Sequence, residues 1–133
     1  MSRLLLDTSV LVDYLRGQST AVAYVEATVA DQMLSAIVVA ELYGGVREGH
    51  ERAQLNEFVA AYSVLPMTEA VAEAVAEAVA GGLLWRQYRP SHGVGFADAL
   101  LAATAPAHNA TLVTLNAKHF PMLSDALVPY QKT

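Results

Sequence analysis

The sequence predicts an α/β protein, a three-layer α/β/α arrangement in which a central parallel sheet carries helices on both faces. Three observations lead there. Short apolar runs alternate with longer stretches of helical period along the chain, the pattern that strand–helix–strand crossovers leave in a sequence. The 133 residues suffice for a single domain, expected over 1–133, and not for a second core of normal size. No linker-like composition and no repeat of solenoid length interrupts the pattern.

Arg3–Leu6 reads as a buried strand ending at Asp7. The Ser9 hydroxyl is placed to cap a short helix, Val10–Arg16, which Gly17 stops. Ser19 or Thr20 opens a second helix, with Val22, Val25, Glu26 and Val29 on a helical period. Met33–Leu34 is a short strand, Ser35 a cap, and Ile37–Arg47 a helix carrying Glu41. His50–Tyr62 is helical through Leu55, Phe58 and Val59; Ser63–Leu65 is a brief strand closed by Pro66. Thr68 then caps a long helix to about Tyr88. Its stripe of Val71, Val75, Val79 and Leu83 is expected to be buried, opposite Glu69, Glu73 and Glu77. Those acids repel at i,i+4, so burial of the stripe must hold the helix, and Gly81-Gly82 are positioned to bend it. Residues 90–95 read as a loop. Phe96–Ala105 is a helix with Asp98 in its first turn, limited by Pro106. Thr111–Thr114 is a β-branched strand followed by Asn116, and a last strand is expected near Leu127–Val128, broken by Pro129.

Composition narrows the classes of function. Thirteen acids against eight bases give a formal charge of −5, which excludes bulk electrostatic gripping of nucleic acid. It leaves room for an enzyme whose acids hold cations and whose few arginines line a substrate groove. No cysteine is present, so disulfides, thiolate metal sites and Cys nucleophiles are excluded. The apolar run at the N-terminus is three residues long before Asp7, far short of a secretory or membrane segment. A cytoplasmic location without membrane attachment is the expectation. The hydrophobic fraction is 54%, rich enough to leave an apolar surface for a partner.

Four polar residues fall at special places: Asp7, Glu41, Asp98 and Asn116. Asp7 and Asn116 follow predicted strands at the edge where open parallel sheets bind ligands. Glu41 and Asp98 lie on helices that start near that edge. Each has a structural role open to it as well. An Asp after a strand caps the next helix, Asp98 suits the positive end of a helix dipole, and Glu41 suits a solvated helix face. The apolar settings of the three acids favour chemistry, because carboxylates brought together there need a cation to stay ionised. Oxygen ligands without Cys or paired His select a hard ion, Mg²⁺, with Mn²⁺ able to substitute. Such an ion polarises a phosphoryl oxygen and acidifies a bound water. The residues alone reach metal-dependent phosphoryl chemistry.

Four strings then carry a resemblance. They are Leu4-Leu5-Leu6-Asp7-Thr8-Ser9-Val10-Leu11-Val12-Asp13-Tyr14-Leu15, Ser35-Ala36-Ile37-Val38-Val39-Ala40-Glu41-Leu42-Tyr43-Gly44-Gly45, Ala97-Asp98-Ala99-Leu100-Leu101-Ala102-Ala103-Thr104-Ala105 and Leu112-Val113-Thr114-Leu115-Asn116-Ala117-Lys118-His119-Phe120. Together, in this order, they resemble the PIN-domain family over nearly the whole chain, and within it the VapC-like toxins of toxin–antitoxin pairs. The resemblance implies a Mg²⁺-dependent endoribonuclease, a homodimer, and inhibition by a small cognate antitoxin that binds DNA. It implies that Asp7 and Asp98 are the main metal ligands. Glu41 would bind the metal directly or through water, or orient the attacking water, and Thr114 would support that shell. Asn116 departs from relatives that carry Asp there, which favours one tightly held ion.

Arg86 and Arg89 are candidates for RNA phosphates, or else for the negative end of the long helix. Lys118, beside Asn116, is a better phosphate candidate. The four histidines show no ligand spacing, and the six tyrosines are scattered as packing residues. Two rival readings remain: a catalytically impaired PIN-like domain that only binds RNA or protein, and a haloacid-dehalogenase-type phosphatase. The second wants another Asp two positions after the first, where Ser9 stands.

Overall fold

The computed structural model describes residues 3–62, 64–65 and 71–131. Four parallel strands form the sheet: β1 (Arg3–Leu6), β2 (Gln32–Ser35), β3 (Val64–Leu65) and β4 (Ala110–Val113), in the order β3-β2-β1-β4. β1 is central. Leu5 aligns with Met33 of β2 on one side, and Leu6 with Val113 of β4 on the other. Neighbouring residues of a strand point to opposite faces. Leu5 and Leu6 are both fully buried, as are Leu112 and Val113, so helices cover both faces and the predicted three layers are present. This is why the strands are continuous apolar runs and not alternating ones.

Among the described residues six helices surround the sheet: α1 (Thr8–Leu15), α2 (Ser19–Ala27), α3 (Ala36–Gly45), α4 (His50–Ala60), α5 (Val71–His92) and α6 (Phe96–Ala107). One apolar cluster joins the layers, with Val10 and Leu11 from α1, Val38 and Leu42 from α3, Leu55 from α4 and Leu101 from α6 against the strands. The expected last strand shrinks to a single bridge: Leu127 pairs with Val113, its N–H donating to the Leu112 carbonyl at 2.8 Å.

Several local expectations are corrected. α1 begins at Thr8, and its cap is Asp7, whose side chain accepts from the Thr8 N–H. Ser9 sits inside the first turn, its hydroxyl engaged elsewhere. α2 is capped by Gln18, which accepts from the Ala21 N–H, rather than by Ser19 or Thr20. Ser35 caps α3 as expected, accepting from the Ile37 N–H. Residues 90–92 are the end of α5, with Pro90 inside the helix, and the loop is only 93–95. A proline forfeits one N–H, and the Gly93 N–H still reaches the Arg89 carbonyl at 3.0 Å to close the last turn. The apolar stripe on α5 is also corrected: Val79 and Leu83 are 55% and 48% exposed, whereas Gly81 is buried. The helix turns its smallest residue inward because the Leu100 backbone of α6 passes there, within 3.1 Å of where a Gly81 Cβ would stand. Thr68 and Glu69 lie outside the described residues.

Candidate active site

The chain runs from β1 to β2 and β3 on one side, then returns to place β4 on the other. The strand order therefore reverses between β1 and β4, and in open parallel sheets the crevice beyond such a reversal is the ligand site. Asp7 stands there, at the end of β1, with only 6% of its surface exposed.

Its carboxylate is held from three directions. Oδ1 accepts from the Thr8 N–H at 2.8 Å. Oδ2 accepts from the Thr114 hydroxyl at 2.7 Å and from the Ser9 hydroxyl at 3.1 Å. Both hydroxyls are themselves fixed by the chain beyond β4. The Leu115 N–H donates to Ser9 Oγ at 3.1 Å, and the Asn116 N–H donates to Thr114 Oγ1 at 3.0 Å. Residues 7–9 and 114–116 thus form one hydrogen-bonded clamp. On the other side the Thr8 hydroxyl donates to Glu41 Oε1 at 2.8 Å, drawing the exposed Glu41 of α3 toward the same edge.

Asp98, in the first turn of α6, is half-buried. Burial raises its pKa above the ordinary carboxyl value; the negative charges of Asp7 and Glu41 raise it further, and His119 opposes them. A carboxyl in this state is short of positive charge. The three acids singled out in the sequence therefore share one electrostatic neighbourhood. Asn116 enters through its main chain and opens the short 3₁₀ turn Ala117–His119. Lys118 is exposed on that turn. Arg86 is exposed on α5, and Arg89 lies flat on Trp85, 4.3 Å from the ring centroid. Both arginines sit before the end of α5, since that helix continues to His92.

Sequence reasoning missed Thr8, Ser9 and His119. Thr8 and Ser9 adjoin Asp7, and short hydroxyl residues directly after a strand-end acid were the available signal. His119 shows no ligand spacing in the sequence, yet its charge acts on Asp98. Ser9, held by Leu115 and Asp7, also occupies the position at which a dehalogenase-type phosphatase needs its second acid.

Among the described residues, no group of three His, Asp or Glu side chains closes tightly enough to enclose an ion. The donor set nevertheless fits an open, hydrated site. All its atoms are hard oxygens, and Mg²⁺ takes one or two carboxylates while keeping several waters. A cation would also supply the charge that Asp98 lacks.

A family model described as the PIN domain matches residues 4–122. Ribonuclease VapC19 of Mycobacterium tuberculosis is 39% identical over 130 residues, a match spanning 95% of this chain and 98% of that protein. Toxin FitB of Neisseria gonorrhoeae is 33% identical over 132 residues, spanning 88% of this chain and 90% of the relative. A toxin–antitoxin complex from Klebsiella pneumoniae contains a chain of the same fold, with a TM-score of 0.78 at 23% identity. That superposition covers 97% of this chain and 99% of the other.

Proposed function

The chain belongs to the PIN-domain family, and from that premise we propose that it is a Mg²⁺-dependent endoribonuclease acting as the toxin of a toxin–antitoxin pair. One observation carries the reading. Asp7, Glu41 and Asp98 come from three separate elements, yet Thr8 links the first two, and Asp98 is raised by both. So costly a gathering of acids is what a cation-dependent site needs. The names of the relatives, a ribonuclease and a toxin, support the substrate and the role.

Asp7 and Asp98 would hold the ion, with Glu41 and the Asn116 amide oxygen reaching it directly or through water. Mn²⁺ is expected to substitute. When bound, the ion supplies Lewis acidity toward a phosphoryl oxygen and lowers the pKa of a water. The protein's own share is positional. Ser9, Thr114 and the Thr8 N–H fix the Asp7 carboxylate so that it cannot turn away. Among the described residues Glu41 is held through Oε1 alone, which would leave Oε2 to orient the attacking water and accept its proton. Lys118, exposed beside Asn116, is placed to meet a neighbouring phosphate. A homodimer in the cytoplasm, restrained by a cognate antitoxin, completes the proposal. Among the described residues no helix is long and apolar enough to cross a membrane.

The test is cleavage of total cellular RNA by the purified chain with Mg²⁺ or Mn²⁺, beside EDTA and an Asp7→Asn, Asp98→Asn double variant. Discrete fragments that require metal and vanish in the double variant are expected. Folded protein that binds no divalent ion and cuts no RNA pool would sink the reading in favour of a non-catalytic binding domain.

A further inference from the structure

Beside the acid pocket lies a feature that the hydrolytic site does not use. Phe96, the first residue of α6, leaves 56% of its surface exposed. Its ring meets Trp85 of α5 edge-on, with centroids 5.4 Å apart. Arg89, one turn further along α5, spreads its guanidinium over the Trp85 ring at 4.3 Å. Two aromatic rings and a stacked cation therefore make one partly exposed surface.

We propose that Phe96, Trp85 and Arg89 form a subsite for a nucleobase of single-stranded RNA, flanking the cleavage site by a nucleotide or two. The proposal rests on the ribonuclease reading for its ligand. Chemistry selects the occupant. An exposed aromatic face stacks any base, and a guanidinium held flat against a ring keeps its N–H donors free at the edge for a phosphate. Charge agrees with it. The chain carries −5 overall, yet no acid occurs between Glu77 and Asp98, a stretch that holds Arg86 and Arg89. Among the described residues neither arginine is paired with a carboxylate. An anionic strand is the partner that this segment suits, in a protein whose net charge is −5.

Position agrees as well. Phe96 and Asp98 share the first turn of α6. Residues two apart on a helix do not share a face, so the platform lies outside the pocket, across the first turn of a helix ~10 Å wide. A strand that reaches Asp98 over the first turn of α6 would meet the platform within one helix width. The surface would thereby hold the strand beside the pocket without selecting its base.

Trp85 is the only tryptophan, so its emission reports on this surface alone. The experiment titrates the full chain, in EDTA to prevent turnover, with single-stranded oligo(rA) and with a base-free ribose-phosphate strand of equal length. Oligo(rA) is expected to change Trp85 emission saturably. Phe96→Ala should weaken its binding about tenfold or more, and Phe96→Tyr should restore it. The base-free strand should bind wild type and Phe96→Ala alike, and Arg89→Ala should weaken both strands. Equal binding of oligo(rA) by wild type and Phe96→Ala overturns the proposal. So does a Phe96→Ala variant that turns a dimer into monomers in sedimentation without loss of oligo(rA) affinity, since the face would then belong to a second copy. The two readings fail separately. Base-dependent binding without any metal-dependent cleavage sinks the nuclease alone, and cleavage with binding insensitive to Phe96 sinks the platform alone.

Discussion

Thr114 is fully buried and its hydroxyl donates to Asp7 Oδ2, accepts from the Asn116 N–H and lies 3.5 Å from the Ser9 hydroxyl. Thr114→Val keeps the shape and removes all three contacts. The Asp7 carboxylate then loses its shortest contact, and with Asp7 as the proposed metal ligand activity is expected to fall about 10–100-fold; RNA cleavage rates at fixed Mg²⁺ measure it. Asp98 makes a second test. Its pKa is raised in the folded state, by burial first and then by Asp7 and Glu41. The folded chain therefore holds a proton that the unfolded chain releases near the ordinary value of 3.8. Without metal, the contribution to stability is whole below that value and is lost as pH rises through the raised one. Thermal melts in EDTA should show wild type losing ground to Asp98→Asn as pH increases toward neutrality, and Mg²⁺ should reverse the order. At this scale the acids were legible because each interrupts an apolar run. The functions of Ser9 and Thr8 were not. Ser9 satisfies every local rule for a helix cap, and what diverts it is the Leu115 N–H, 106 positions along the chain.

Strands and most helices were legible from period and punctuation, since a strand buried on both faces cannot avoid an apolar run. The orientation of α5 was not. Hydropathy assigns the inward face to Val79 and Leu83, but close helix approach selects the residue with no side chain. A Cβ on Gly81 would meet Leu100 Cδ2 at 2.6 Å and Leu100 Cα at 3.1 Å, whereas one on Gly82 would meet nothing within 4 Å. Flexible Cδ2 can move aside; the backbone atom cannot without parting the helices. Gly81→Ala is therefore expected to destabilise. Crowding of about 1–3 kcal/mol outweighs the gain of about 1 kcal/mol that alanine brings to a helix. Gly82→Ala should keep that gain and stabilise. Urea unfolding midpoints of the two variants should move in opposite directions. Pro90 was misread for a related reason: proline is a local signal for a break, and here the helix continues one turn past it.

The molecule as a whole is tied by contacts between distant parts of the chain. Tyr130 donates to Asp13 Oδ2 at 2.9 Å, and Leu127 pairs with β4, so the segment after β4 is fastened to both the sheet and α1. Burial, with the hydrogen bond to Asp13, raises the Tyr130 pKa. Asp13 is only 5% exposed, and Tyr130→Phe should lower stability by about 1–3 kcal/mol, read as a lower urea midpoint with unchanged slope. Nothing in local pattern announces that bond, because its partners are joined only by the finished fold. The central place of β1 has a consequence of timing. The ribosome delivers β1 first and its neighbour β4 more than a hundred residues later, and folding during synthesis proceeds from the N-terminus. Asp7 therefore waits, without Thr114 or the main chain that anchors Ser9, until nearly all of this sequence has been translated. On the proposed reading, a nascent chain is held well below full activity toward the RNA around it, and gains its cutting edge only after β4 emerges.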